Sequence, residues 1–168
     1  MRIAILTVSD RSFRGERADA SGPALANAVL TQGWQVAEVL VLPDDLFQIS
    51  AQLTQWADSG EVDIILTTGG TGFSPRDITP EATNAVIQRH APGLAEAMRN
   101  ASLQLTPHAM LSRGVAGIRH RTLIVNLPGS PRAAVENLLV IIPVLPHAVQ
   151  LLAEHPQAET GHQLTSAG

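Results

Sequence analysis

The chain of 168 residues has no cysteine. Disulfides, zinc–thiolate sites and a thiol nucleophile are therefore excluded, and a reducing compartment is permitted though not required. Charge is sparse as well. Charged residues make up 15% against 45% hydrophobic, a balance that excludes disorder over most of the chain. An excess of positive charge is also missing: the formal net charge of −4 argues against duplex nucleic acid as a main partner. An anionic ligand must then be held by local geometry and metal. The most apolar run, residues 138–152, falls short of the roughly 20 residues needed to cross a bilayer and carries Pro143, Pro146, His147 and Gln150. A strand-like "RIAILTVS" starting at Arg2 leaves no room for a signal peptide. These absences lead us to expect a soluble, cytoplasmic protein with no membrane or nucleic-acid partner.

What is present is alternation. Residues 2–9, 35–42 and 62–68 are short, largely β-branched apolar runs bounded by glycine or polar residues, as in buried parallel strands. Helical patterns separate them. "GPALANAVLTQ" has Pro23 as a first-turn residue, and the stretch after "LPDD" repeats Leu46, Ile49, Leu53 and Trp56, with Asp44 or Asp45 as cap and Gly60 as stop. Thr79 is expected to cap a helix that begins at Pro80, and a further helix covers about residues 92–105. "GVAGIRHRTLIVNL" reads as two short strands joined near His120, so one of them runs antiparallel. Residues 132–155 read as helix with a proline-marked bend. The expected fold is a three-layer α/β/α sandwich with a mainly parallel sheet and one antiparallel strand. One domain over residues 1–155 would be followed by a polar tail, residues 156–168.

In such sheets ligands bind beyond the carboxyl ends of the strands. Four loops leave those ends, "SDRSFRGERADASG", "LPDD", "TTGGTGFSPRD" and "LPGSP", and they are also the most unusual stretches of the chain. The glycine loop is not a P-loop, since no Gly-Lys-Ser/Thr ending follows, and Pro75 breaks a G-x-G-x-x-G reading. Alone it is as readily a tight turn; with its companion loops it points to anion binding. In "LPGSP", Ser130 would cap a helix starting at Pro131, and Gly129 would let a ligand approach the exposed N–H groups. Asp44 and Asp77 follow strand ends and together suit Mg²⁺ beside phosphates. Taken singly, Asp44 reads as a helix N-cap and Asp77 as an Asx-type turn. The six histidines show no metal-ligand spacing, no G-x-S-x-G elbow is present, and Ser102 and Ser112 read as helix-end or turn serines.

The stretches "TVSDRSFRGERADASGPAL", "LTTGGTGFSPRDITPEAT", "APGLAEAMRNASL", "HAMLSRGVAGIR" and "TLIVNLPGSPRA" together resemble the molybdopterin adenylyltransferase family of the MoaB/Mog type, over residues 3–152. The resemblance implies molybdenum cofactor biosynthesis on a molybdopterin-binding domain. In that reaction AMP passes from ATP to the terminal phosphate of molybdopterin with Mg²⁺, giving adenylyl-molybdopterin and pyrophosphate. It places catalytic roles on Asp44, Asp77 and Ser112, with Asp44 and Asp77 holding the metal. Substrate binding falls on Ser9, Asp10, Gly69, Gly70, Thr71, Gly72, Pro128, Gly129 and Ser130. It further implies a homo-oligomer, trimer or hexamer, with residues 138–152 as one candidate contact surface or equally core, and a molybdenum-insertion protein as partner. The competing reading is a non-catalytic molybdopterin carrier; two retained metal carboxylates favour the enzyme.

Overall fold

The computed structural model describes residues 1–154. The expected polar tail, with His155 and His162, lies outside them. Six strands form one sheet: β1 (Arg2–Val8), β2 (Gln35–Leu42), β3 (Ile64–Thr68), β4 (Arg89–His90), β5 (Ala116–Arg119) and β6 (Thr122–Leu127). Their order is β2-β1-β3-β6-β5-β4. β2, β1, β3 and β6 pair in parallel, while β5 runs antiparallel to both β6 and β4. A single strand is thus reversed, as the hairpin pattern predicts. The hairpin turns at His120, whose φ of 51° lies in the left-handed region. The two-residue edge strand β4 was not legible in the sequence; its neighbours Gln88 and Ala91 donate to Ile118 and Ala116 carbonyls and extend the ladder.

The period of two along the buried strands sorts side chains onto two faces. Ile3, Ile5, Ile64, Leu66, Leu123 and Val125 face one core. It is closed by α2 (Ser21–Thr31), α5 (Pro92–Leu103), α6 (Pro131–Ile141) and α7 (Leu145–Leu152). Ala4, Leu6, Val8, Ile65 and Ile124 face the other, against α3 (Leu46–Asp58) and α4 (Thr79–Asn84). This is the expected three-layer sandwich.

The bend in the last helical region is a short 3-10 turn, Ile142–Val144, around Pro143. Pro131–Leu152 forms a helical run of 22 residues, close to the expected 132–155. An 18-residue window of it has mean hydropathy 1.6, so by length and composition it is long and apolar enough to cross a membrane, where the sequence reading counted only residues 138–152 as apolar. Here its inner stripe, Leu138, Ile141 and Leu145, is fully buried in the larger core, while Leu139, Val140, Val144 and Leu151 stay exposed. The core reading of residues 138–152 thus holds for one face of this run, and the opposite face is exposed.

From β1 the chain passes to β2 on one side, then crosses back to place β3 on the other side of β1. The carboxyl ends of β1 and β3 therefore flank the topological switch, where loops diverge and leave a crevice.

Candidate active site

At that crevice lies a cavity of about 570 Å³ whose lining includes Ser9, Asp44, Gly69, Gly70, Asp77 and Gly129. Its wall is assembled by hydrogen bonds between strand ends. Thr68 Oγ1 donates to the Pro128 carbonyl at 2.6 Å, Gly69 N to the Leu127 carbonyl at 3.3 Å, and Ser21 Oγ to the Gly129 carbonyl at 2.8 Å. Gly69 and Gly70 have φ of 99° and 62°, and a Cβ on Gly69 would sit 2.3 Å from the Val8 carbonyl oxygen. Only glycine fits a loop that leaves a buried strand this tightly.

The hydroxyl of Thr79 does not cap the following helix, as the sequence suggested. Thr79 is the first residue of α4, its N-cap position is Ile78, and its Oγ1 donates to the Gly69 carbonyl at 2.8 Å, while its N donates to the Gly70 carbonyl. With those carbonyls turned toward Thr79, the N–H groups of Gly70, Thr71 and Gly72 have no acceptor among the described residues. The same holds for Gly129 and Ser130. Ser130 does occupy the N-cap position of α6, but its hydroxyl makes no cap bond. Two strand-end loops thus present unpaired amides, the arrangement that binds anions.

Asp44 and Asp77 flank the glycine loop. A Cβ on Gly70 would lie 3.2 Å from Asp44 Oδ1, and one on Gly72 would lie 2.9 Å from Asp77 Oδ2. The cap of α3 is Asp45, whose carboxylate accepts from Gln48 N, so Asp44 is released from the capping role. Asp44 accepts instead from Asp10 N. Burial pushes the Asp44 carboxyl above its ordinary pKa, and the negative charges of Asp10 and Asp77 push the same way. Asp77 closes a turn in which Ser74 N donates to its Oδ2 and its own N donates to the Ser74 carbonyl, both at 2.9 Å. Ser9 lines the cavity, but its Oγ caps the short helix α1 (Asp10–Phe13) by accepting from Ser12 N. The Asp10 side chain turns to Arg76, which holds it below the ordinary carboxylate range.

Ser112 sits elsewhere. It lines a second cavity of about 290 Å³ together with Thr71, Met98, Arg99, Asn126 and Pro128. Most of the predicted residues therefore meet at one end of the sheet but divide between two adjoining cavities, with the run from Gly70 to Thr71 and the run from Pro128 to Gly129 as the ridge between them, while Asp10 and Gly72 line neither cavity. Ser112 Oγ accepts from Gly114 N at 3.4 Å, the turn role that its sequence context also suggested.

Sequence reasoning missed three residues that build this site. Asp19 substitutes for the absent side-chain cap of α2, accepting from Ser21 N and Gly22 N, and its other oxygen accepts from Thr7 Oγ1 at 2.8 Å. Asn126 donates to Thr67 and Thr83 hydroxyls and accepts from Val115 N, which satisfies a buried amide fully. Arg113 bolts the glycine loop down. Its N donates to the Thr71 carbonyl at 2.9 Å, Nε to Gly72 at 2.7 Å, Nη2 to Asp77 at 2.5 Å, and Nη1 pairs with Glu81. The signal for Arg113 was its place beside Ser112 in "MLSRG"; the fork geometry that makes it a bolt is set only by the fold.

A family model described as a probable molybdopterin binding domain matches residues 4–147. The chain is 40% identical over 154 residues to a molybdopterin adenylyltransferase of Helicobacter pylori, covering 90% of this chain and 88% of that protein. It is 43% identical over 166 residues to gephyrin of Dictyostelium discoideum, 93% of this chain but 23% of that much longer protein, so it spans about a quarter of that relative's length. The crystal structure of the molybdopterin biosynthesis enzyme MoaB from Thermus thermophilus superposes with a TM-score of 0.86 at 52% identity, covering 92% of this chain and 98% of that one. With the fold, the glycine loop and both strand-end loops inside the matched region, the chain belongs to the molybdopterin-binding domain family.

Proposed function

We propose that this protein is a molybdopterin adenylyltransferase acting in molybdenum cofactor biosynthesis. The observation that carries the reading is the pairing of five acceptor-free backbone amides, at Gly70, Thr71, Gly72, Gly129 and Ser130, with the carboxylates of Asp44 and Asp77 at the same strand ends. Amides hold phosphate oxygens; carboxylates beside phosphates require a cation. Among the described residues no group of three or more His, Cys, Asp or Glu could hold a metal. Two carboxylates with the remaining positions left to water and phosphate is the donor set Mg²⁺ uses. Asp44 and Asp77 would hold that ion, which would neutralise charge on the triphosphate and the departing pyrophosphate.

The reaction needs positioning more than a protein nucleophile. A terminal phosphate oxygen of molybdopterin forms a bond to the α-phosphorus of ATP, and the bond from that phosphorus to the bridging oxygen breaks, releasing pyrophosphate. The two cavities fit a two-part assembly. The polar one, with its carboxylates, suits the triphosphate, and the one lined by Ala95, Met98 and Leu105 suits a flat heterocycle, with Arg99, Ser102 and Asn137 supplying polar contacts. Ser112 would stand where the two substrates join. The product would pass to a molybdenum-insertion protein, and the exposed stripe Leu139, Val140, Val144 and Leu151 would supply a contact surface for a homo-oligomer.

Pyrophosphate release on mixing the protein with ATP, Mg²⁺ and molybdopterin tests the reading. Turnover dependent on all three is expected. Tight molybdopterin binding without pyrophosphate release would replace the enzyme with the carrier. A monomeric mass by light scattering at micromolar concentration would remove the oligomer.

A further inference from the structure

The larger cavity joins two carboxylates to a site that must accept a highly charged anion, so the distribution of cations around it matters. Arg76, on the glycine loop, and Arg132, in the first turn of α6, are committed to Asp10 and Glu136, and Arg113 to Glu81. Arg17 differs. It lines the cavity from the loop between α1 and α2, with Asp44, Asp77, Gly70 and Ser130 among the same lining residues. Its guanidinium forms no ion pair among the described residues, and its one side-chain hydrogen bond, Nη2 to Ser9 Oγ, is 3.4 Å long. Backbone contact is limited to its N–H donating to the Arg11 carbonyl at 3.3 Å. The head group is exposed and can turn within the cavity mouth without breaking a strong contact.

We propose that Arg17 is a phosphate-binding residue that grips the β- and γ-phosphates of ATP and then the leaving pyrophosphate. This rests on the adenylyltransferase reading above. The chemistry follows from charge. Most of the negative charge of ATP lies on the β- and γ-phosphates, and more collects there as the bond to the α-phosphorus breaks. A planar guanidinium offers several donors to two phosphate oxygens at once, and it is weakly hydrated, so less is lost when it leaves water. Backbone amides at the glycine loops carry only partial charge. Two facing carboxylates consume the charge of one divalent ion, which leaves the triphosphate under-neutralised. An arginine without a carboxylate partner at the cavity edge supplies the difference. AMP lacks the β- and γ-phosphates and should not depend on Arg17.

The test is calorimetric titration of the protein with Mg²⁺–pyrophosphate and, separately, with AMP, comparing wild type, Arg17→Ala and Arg17→Lys. Because Arg17 is exposed, thermal melts of the three should coincide. Loss of charge-assisted hydrogen bonds should weaken pyrophosphate about 10- to 100-fold in Arg17→Ala, with AMP changed less than about twofold and Arg17→Lys intermediate. In steady state, the KM for ATP should rise while that for molybdopterin holds. Unchanged pyrophosphate affinity in Arg17→Ala, beside a wild type that turns over, would overturn the role of Arg17 alone. Equal weakening of AMP and pyrophosphate would overturn it too. A wild type that neither binds pyrophosphate nor releases it would overturn both this proposal and the function on which it rests.

Discussion

Asp10 and Asp44, 34 residues apart, each accept the other's backbone N–H: Asp10 N donates to Asp44 Oδ2 at 2.9 Å, and Asp44 N donates to Asp10 Oδ1 at 3.0 Å. The exchange ties the loop after β1 to the loop after β2. It also holds two carboxylates close together, a repulsive arrangement that Arg76 outweighs at Asp10, whereas at Asp44 burial prevails over the Asp10 N–H and the Arg76 charge and raises the carboxyl. A carboxyl kept above its ordinary pKa by burial and like charge costs the fold stability, and such groups cluster at functional sites.

Asp44→Asn should therefore stabilise the fold at neutral pH while removing activity. The sign follows from linkage: with the folded pKa raised, the unfolded chain ionises first, so stability is full below the ordinary carboxylate range and declines as pH rises through the folded pKa. The amide keeps an oxygen to accept from Asp10 N. The denaturation midpoint of the variant should exceed that of wild type at pH 7, and the gap should close as pH falls through the carboxylate range. A gap that widens in acid would refute the account. Turnover at pH 7 should fall by about 10²–10³.

Asp77→Asn isolates the second carboxylate. Its turn contact, Ser74 N to Oδ2, can be made equally by an amide oxygen, so the fold should survive. Turnover should drop about 10²–10³ through loss of the charge, with molybdopterin affinity nearly unchanged because the loop amides are untouched. Pyrophosphate release and molybdopterin binding measured on one preparation decide it; normal turnover would leave Asp77 with the turn alone.

Arg113→Ala should loosen the glycine loop. The substitution leaves the Gly72 and Asp77 carbonyls without their donor and Glu81 without its partner, a loss of about 1–3 kcal/mol if water cannot fully replace them. Hydrogen exchange at Ser74 and Asp77, whose amides are bonded within the loop, should accelerate well before the strands are affected. Lysine at the same position should restore the pairing with Glu81 and leave exchange fast, since one ammonium cannot reproduce the fork. Protection equal to wild type in the alanine variant would show that Arg113 is not the bolt.

Gly69→Ala should be the most damaging small substitution in the site. The residue has φ of 99°, and the added Cβ would meet the Val8 carbonyl, fixed in a central strand, at 2.3 Å. Backbone strain of about 1–3 kcal/mol comes first, and displacement of the strand end adds to it. A large fall in melting temperature, or failure to accumulate in soluble form, is expected. A variant as stable as wild type would mean that the loop can leave β3 by another path.

Much of this was legible because it is local. Strand and helix periods, the His120 hairpin and the strand-end glycines each depend on a few consecutive residues, and the division of Ile3 and Ile5 from Ala4 and Leu6 follows from the pleat alone. The misreadings share one cause. Thr79 has a cap-like sequence context, yet its hydroxyl finds the Gly69 carbonyl ten residues back, whereas Ser130 takes the expected N-cap position without a side-chain cap bond. Asp44 and Asp45 were interchangeable in sequence until Asp10 claimed one of them. β4 is two residues long, too short to carry a period.

By itself the sequence determined the elements, the three layers, the strand-end loops proposed to carry the chemistry and the family to which they belong, because hydrophobic period and turn chemistry act over a few residues. Tertiary structure decided how those loops are used. Strand order β2-β1-β3-β6 sets which loops become neighbours, and only then do Asp10 meet Asp44 and Arg113 reach Asp77. The same packing splits the site into two cavities and leaves Arg17 without a carboxylate partner among the described residues. A hydrogen bond between residues tens of positions apart has no signature in local sequence; it exists only where the sheet has already brought donor and acceptor within about 3 Å.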